Sequence, residues 1–352
     1  MREIHIGEQE AGQRLDKFLG KYMGLAPRGF LYKMLRKKNI TLNGKKADGS
    51  EKLSAGDQIR LFLSDETVEK FTESQPRAAA AGREAEPPFS VIYEDQDILL
   101  LNKPWGMLTQ KARPEDVSLN EYMVSWLLNT GRLTKEGLRR QRPSVCNRLD
   151  RNTSGIVTAG ITLRGLQGLS EILKNRSCQK WYYALVWGEV SREYTLKGYL
   201  RKEAGNKAEI LARPEKDARY IETACRPLDK AEGCTLLEIH LITGRSHQIR
   251  AHLSAEGHFI IGDSKYGRQE INEKFERRFG LKGQLLHAGK FIMPRQDCPF
   301  PGLEGRCFRA PLEERFRRVL TGIGISWQEE IFDKDAGGRG EGGICLPGSH
   351  GD

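Results

Sequence analysis

The spacing of apolar positions along this 352-residue chain changes several times, and each change marks an element. Leu15, Phe18, Leu19 and Tyr22 recur at i, i+3, i+4 and i+7, the period of one helix face. Ala26-Pro27 interrupts the pattern, and Phe30, Leu31, Met34 and Leu35 begin a second helical stripe. Ile40-Thr41-Leu42 then predicts a short strand running into Asn43-Gly44, a type I′ hairpin signal. After a Gly56-Asp57 turn, Ile59, Leu61 and Leu63 alternate as a half-buried strand. A longer series starts at Phe89. Residues 91–95 predict a strand ending in a polar turn, and Ile98-Leu99-Leu100-Leu101 a buried one. Asn102-Lys103-Pro104-Trp105-Gly106 stops it in a tight turn. Helices are predicted over 118–128, striped by Leu119, Tyr122, Met123 and Trp126, and over 164–173. Ile156-Val157-Thr158, residues 180–188 and residues 234–242 read as further strands, with a helix after Gly244.

These patterns divide the chain into a small α+β module over residues 1–63 and a larger strand-rich domain over 89–332. Residues 64–88 are polar, acidic and Ala-rich and close on Pro87-Pro88, so a mobile linker is expected. A short helix near Ala78–Ala81 is the alternative. The Gly-rich tail over 333–352 is expected to be disordered.

Charge sharpens the picture of the first module. The chain carries a net charge of +10 with a pI near 9.2, which favours a polyanionic partner. Residues 1–63 hold 13 Lys and Arg against 7 Asp and Glu, a surplus of six. Arg28, Lys33, Arg36, Lys37 and Lys38 are left outward by the second stripe. A solvated helix face would look the same, but five cations on one short element suit RNA phosphates better. No apolar run approaches the ~20 residues of a membrane helix. The N-terminus is charged and lacks an apolar signal core. Seven scattered cysteines without a C-x-x-C pair argue against a disulfide framework and fit a reducing cytoplasm. His247 and His252 are five apart, not the i, i+4 pair of a helical metal site, so no metal is expected.

The candidate chemistry lies at Asn147-Arg148-Leu149-Asp150-Arg151-Asn152-Thr153-Ser154-Gly155. One acid sits between two arginines, ahead of turn-forming residues and a buried strand, where a rigid scaffold would present a reactive loop. A structural ion pair beside a turn accounts for the same residues. The stretch resembles the His-Arg-Leu-Asp-x-x-Thr-Ser-Gly signature of the RluA-type pseudouridine synthases, with Asn147 where that family usually has His. Asn-Lys-Pro-x-Gly at 102–106 resembles a preceding family motif, and Lys-x-Tyr-x-Ala-x-Val at 180–186 a following one. Gly-Arg-Ser-His-Gln-Ile-Arg at 244–250 resembles another, with Ser246 for Thr. Gly257–Asp263 and Leu285–Lys290 continue the likeness, and the first module resembles the RNA-binding domain named after ribosomal small-subunit protein four.

The resemblance implies an α+β fold: a mixed, largely antiparallel central sheet with flanking helices, plus the small N-terminal α+β RNA-binding domain. It implies isomerisation of uridine to pseudouridine in RNA, most of all large-subunit ribosomal RNA, with no cofactor and no metal. Transfer RNA is the alternative substrate; a non-catalytic ribosome-assembly factor and an RNA glycosidase are the competing functions. Asp150 would be the essential carboxylate, Arg250 its partner, and Tyr182 the ring against the target base. Arg148 would fill the space the flipped base leaves. Lys103 and Arg245, basic members of the matching motifs, join Arg148 and the five helix cations as expected RNA contacts. A monomer acting in the cytoplasm is the default expectation.

Overall fold

The computed structural model describes residues 1–8, 10–71, 86–202 and 207–326. In the N-terminal module, β1 (Arg2–His5) precedes α1 (Leu15–Tyr22) and α2 (Arg28–Arg36). Then follow β2 (Ile40–Leu42), β3 (Lys45–Lys46), β4 (Gln58–Leu61) and α3 (Asp65–Phe71). The four strands form an antiparallel sheet in the order β1-β4-β2-β3. Asn43 and Gly44 both have positive φ, 50° and 72°, as a type I′ turn requires. Leu15, Phe18, Leu19 and Tyr22 are wholly buried against this sheet, so the first stripe is the module's core.

Two expectations change here. The N-terminal residues, read only as charged, supply β1, and its Ile4 enters the core. The start of the expected linker is helix α3: Val68 is fully buried and the Phe71 ring packs 4.6 Å from Phe30. Two apolar residues sufficed to dock a short helix that showed no sustained stripe. Ala78–Ala81 and the tail over 333–352 lie outside the described residues.

The larger domain runs β5 (Ser90–Glu94), β6 (Ile98–Lys103), α4 (Leu119–Asn129), α5 (Lys135–Arg140), β7 (Ser144–Val145) and β8 (Ser154–Gly160). It continues α6 (Leu163–Lys174), β9 (Gln179–Trp187), β10 (Tyr194–Lys202), β11 (Ala208–Leu211), β12 (Arg219–Ala231) and β13 (Cys234–Leu241). It closes with α7 (Gln248–Ala255), α8 (Gln269–Phe279), β14 (Leu286–Ile292), β15 (Cys307–Arg309) and α9 (Glu314–Gly322). Eleven strands make one sheet, ordered β11-β10-β12-β13-β9-β14-β8-β6-β5, with β15 beside β14 and β7 beside β8. Only β8 and β14 pair in parallel among the described strands; the other pairings are antiparallel. The sheet is therefore mixed and largely antiparallel, with helices on its faces.

Alternation along the strands separates two cores. Tyr182, Ala184 and Val186 of β9 pack with Leu237 and Ile239 of β13 and with α4. Tyr183 and Leu185 face the other way, toward α8 and α9. Residues 138–143, read as a loop that grips phosphate or stays solvated, instead belong in part to α5. There Arg140 donates to the His5 carbonyl at 2.9 Å and Glu136 accepts from the Tyr22 hydroxyl at 3.4 Å. The stretch joins the two domains.

Candidate active site

Asp150 stands in a loop fixed from several directions. Asn147 Oδ1 accepts from the Thr158 amide at 2.7 Å and its hydroxyl at 3.1 Å, so this residue serves as a local acceptor. The Thr109 hydroxyl donates to the Leu149 carbonyl at 2.9 Å. Lys103 Nζ donates to the Arg151 carbonyl at 3.2 Å, and the Thr153 amide returns to the Asp150 carbonyl at 3.0 Å. Gly155 then has φ +106°, and a Cβ there would meet the Ala288 carbonyl oxygen at 2.2 Å. Only glycine lets β8 approach β14 at this point. Ser154 adds a hydrogen bond of 2.9 Å to His287 Nδ1 across the same pair.

Arg250, on α7, reaches this loop from the far side of the sheet order. Its Nη1 donates to Asp150 Oδ2 at 2.7 Å. Its Nε and Nη2 donate to both oxygens of Asp263, at 2.7 and 2.8 Å. Asp263 is fully buried and also accepts from the Lys265 and Tyr266 amides. Burial works against charge on both groups, but the bidentate bond prevails: Arg250 is pushed above its ordinary pKa and Asp263 below its own. The Asp150 side chain remains 27% exposed, so the ion pair opens on one side to solvent.

Tyr182 belongs to β9 and is only 6% exposed. Burial, followed by the nearby Asp150 charge, raises its hydroxyl well above the ordinary phenol range, so the phenol stays protonated. A phenol held protonated is not available as a base. Arg148 and Arg245 are exposed, as are Arg28, Lys33 and Arg36 on α2 and Lys37 and Lys38 just after it. The expectation for Lys103 is corrected. Its side chain is fully buried, and Nζ donates to the carbonyls of Pro104, Met107 and Arg151. Burial lowers its pKa to about 7. It braces the turn under Asp150 and is out of reach of RNA. His247 is not on the helix either: it is the N-cap of α7, with φ 60°.

Asp263, His247 and Tyr266 were not singled out as site residues by their sequence context. His247 Nε2 lies 3.8 Å from Asp150 Oδ2, and Tyr266 receives the Arg250 guanidinium over its ring at 5.1 Å. Two signals were available: His247 lies inside the 244–250 motif, and Asp263 ends a stretch resembling the family.

Residues 97–255 match the family model described as RNA pseudouridylate synthase, and residues 13–59 match that of the S4 domain. The chain is 31% identical over 328 residues to the ribosomal large subunit pseudouridine synthase C of Vibrio parahaemolyticus, covering 91% of this chain and 96% of that one. This chain belongs to the RNA pseudouridylate synthase family. It is an isomerase with an N-terminal S4 domain. The protein of the same name from Vibrio cholerae is 32% identical over 327 residues, 90% of this synthase and 95% of the relative. Among solved structures, human RNA pseudouridylate synthase domain containing 4 shares the fold. It superposes with a TM-score of 0.53 at 20% identity, over 66% of this chain and 92% of that one.

Proposed function

We propose that this synthase converts uridines of large-subunit ribosomal RNA to pseudouridine, with Asp150 as its essential carboxylate. The observation that carries the residue assignment is the Arg250–Asp150 bond of 2.7 Å at a partly open acid, backed by the buried Asp263. The substrate assignment is supported by relatives that span both domains and by the cations of α2, which form no ion pair among the described residues.

The reaction breaks the N1–C1′ bond of the nucleotide, turns the base, and joins C5 to C1′. N1 ends with a proton and C5 loses one, so mass and redox state are unchanged. Asp150 acts at the ribose or the base while Arg250 Nη1 holds its Oδ2. Tyr182 stacks on the flipped uracil, an interaction worth about 1–3 kcal/mol per base. That offsets part of the few kcal/mol needed to unstack the nucleotide. Arg148, exposed and two positions before the acid, fills the space the flipped base leaves, and the exposed Arg245 contacts the RNA. No step calls for a metal or an organic cofactor. The protein works as a monomer in the cytoplasm. Cys146, Cys178, Cys225, Cys234 and Cys298 are free thiols, in keeping with a reducing compartment.

The test uses RNA tritiated at uridine C5, with ribosomal and transfer RNA assayed separately. Release from ribosomal RNA alone is expected. Release from transfer RNA alone would replace the substrate assignment.

A further inference from the structure

His247 is held in one tautomer by its neighbours. The Ala208 amide donates to the Tyr266 oxygen at 2.7 Å, so that oxygen already acts as an acceptor. Its own proton has one other contact among the described residues, His247 Nδ1 at 3.1 Å. Nδ1 therefore accepts, and the proton of the neutral imidazole sits on Nε2. Nε2 faces Asp150 Oδ2 at 3.8 Å. The opposite tautomer would turn a lone pair toward the carboxylate, so both ends of the ring select the same state. The backbone agrees: His247 keeps φ 60°, a left-handed conformation that a histidine holds only when its surroundings impose it. The charged groups around the ring are Asp150, Arg250, Lys265 and Asp263. Burial comes first among the influences on it and lowers its pKa, which keeps it neutral near pH 7.

We propose that His247 is a positioning residue for the isomerisation, aiming Nε2–H at Asp150 Oδ2. Arg250 Nη1 occupies the same oxygen. Asp150 Oδ1 has no hydrogen bond among the described residues, so the two donors together lock the carboxylate with Oδ1 toward the nucleotide. The 3.8 Å separation is that of the free enzyme and closes when RNA fills the cleft, as site hydrogen bonds commonly do. Tyr266 acts one step further out, by fixing the tautomer.

This inference rests on the reading of Asp150 given above, and its test separates the two. Single-turnover tritium release and RNA binding are measured for wild type, His247→Ala, His247→Gln and Tyr266→Phe. The Gln amide places an N–H near the Nε2 position and fills most of the ring's volume, so it reports even where the alanine variant folds poorly. His247→Ala is expected to slow the bound-state rate 10- to 100-fold with RNA affinity within twofold of wild type. His247→Gln should recover at least fivefold of that loss, and Tyr266→Phe should lose a smaller factor, also in rate. Loss confined to RNA affinity, a glutamine variant no faster than alanine, or an alanine variant within twofold of wild type overturns the role of His247 alone. A wild type that releases no tritium overturns the reading of the site, and this inference with it.

Discussion

Arg250 meets two acids, and their burial makes them unequal partners. Asp263 is fully buried and takes two of the three guanidinium bonds, whereas Asp150 is partly open and takes one. Asp263→Asn leaves a buried guanidinium short of its counter-charge and is expected to cost about 3–5 kcal/mol in urea unfolding. Asp150→Asn leaves the inner pair intact and should cost under about 1 kcal/mol, because the acid is partly open to solvent and Arg250 keeps its buried counter-charge. Equal destabilisation by the two changes would contradict this division. Lys103 gives a pH prediction. Its folded pKa near 7 lies below the ordinary 10.5, so between those values the unfolded chain binds more protons. Stability should therefore gain from this residue as pH rises from 7 toward 10, by at most about 1.4 kcal/mol per pH unit. Lys103→Met should remove that slope when both proteins are unfolded in urea at pH 7 and 9. The pairing of Asp150 with Arg250 was legible because each lies in a short motif. Asp263 was not, since no period links it to Arg250 thirteen positions earlier. Lys103 was misread because residue type suggested a surface, while its pocket is closed by the Arg151 carbonyl, 48 positions away in the chain.

At the scale of elements, the junction of β8 and β14 decides where the reactive loop sits. Gly155→Ala forces a Cβ into the Ala288 carbonyl at a φ of +106°. A loss of roughly 2–4 kcal/mol in the urea midpoint is expected, together with reduced turnover. Unchanged stability would mean that the pair is not held this closely. The regular helices and buried strands were readable from their periods. β12 was not, because its inward positions Ile221, Thr223 and Cys225 include only one strongly apolar side chain, so the alternation of buried and less buried positions leaves little trace in hydropathy. β1 is four residues long with a single core position, Ile4, and α3 has one fully buried residue, Val68. Elements this small are fixed by what they dock against rather than by their own pattern.

For the whole molecule, the proposed function divides the work between grip in one domain and chemistry in the other. The cations of α2 belong to the first and the Asp150 cluster to the second, with α5 bridging them through Arg140 and Glu136. Replacing Lys33, Arg36 and Lys37 together by alanine should weaken RNA binding and lower the slope of log affinity against log salt by about 2. Binding at a series of salt concentrations checks this, and an unchanged slope would assign α2 a solvated face only. The central claim is that Asp150 performs the isomerisation on a bound nucleotide. Its most direct test is single-turnover tritium release from C5-labelled ribosomal RNA by wild type and Asp150→Asn, with RNA affinity measured alongside. Release by wild type, none above background by the variant, and equal affinity for both is the expected result. Release by Asp150→Asn at a rate near that of wild type would contradict the account.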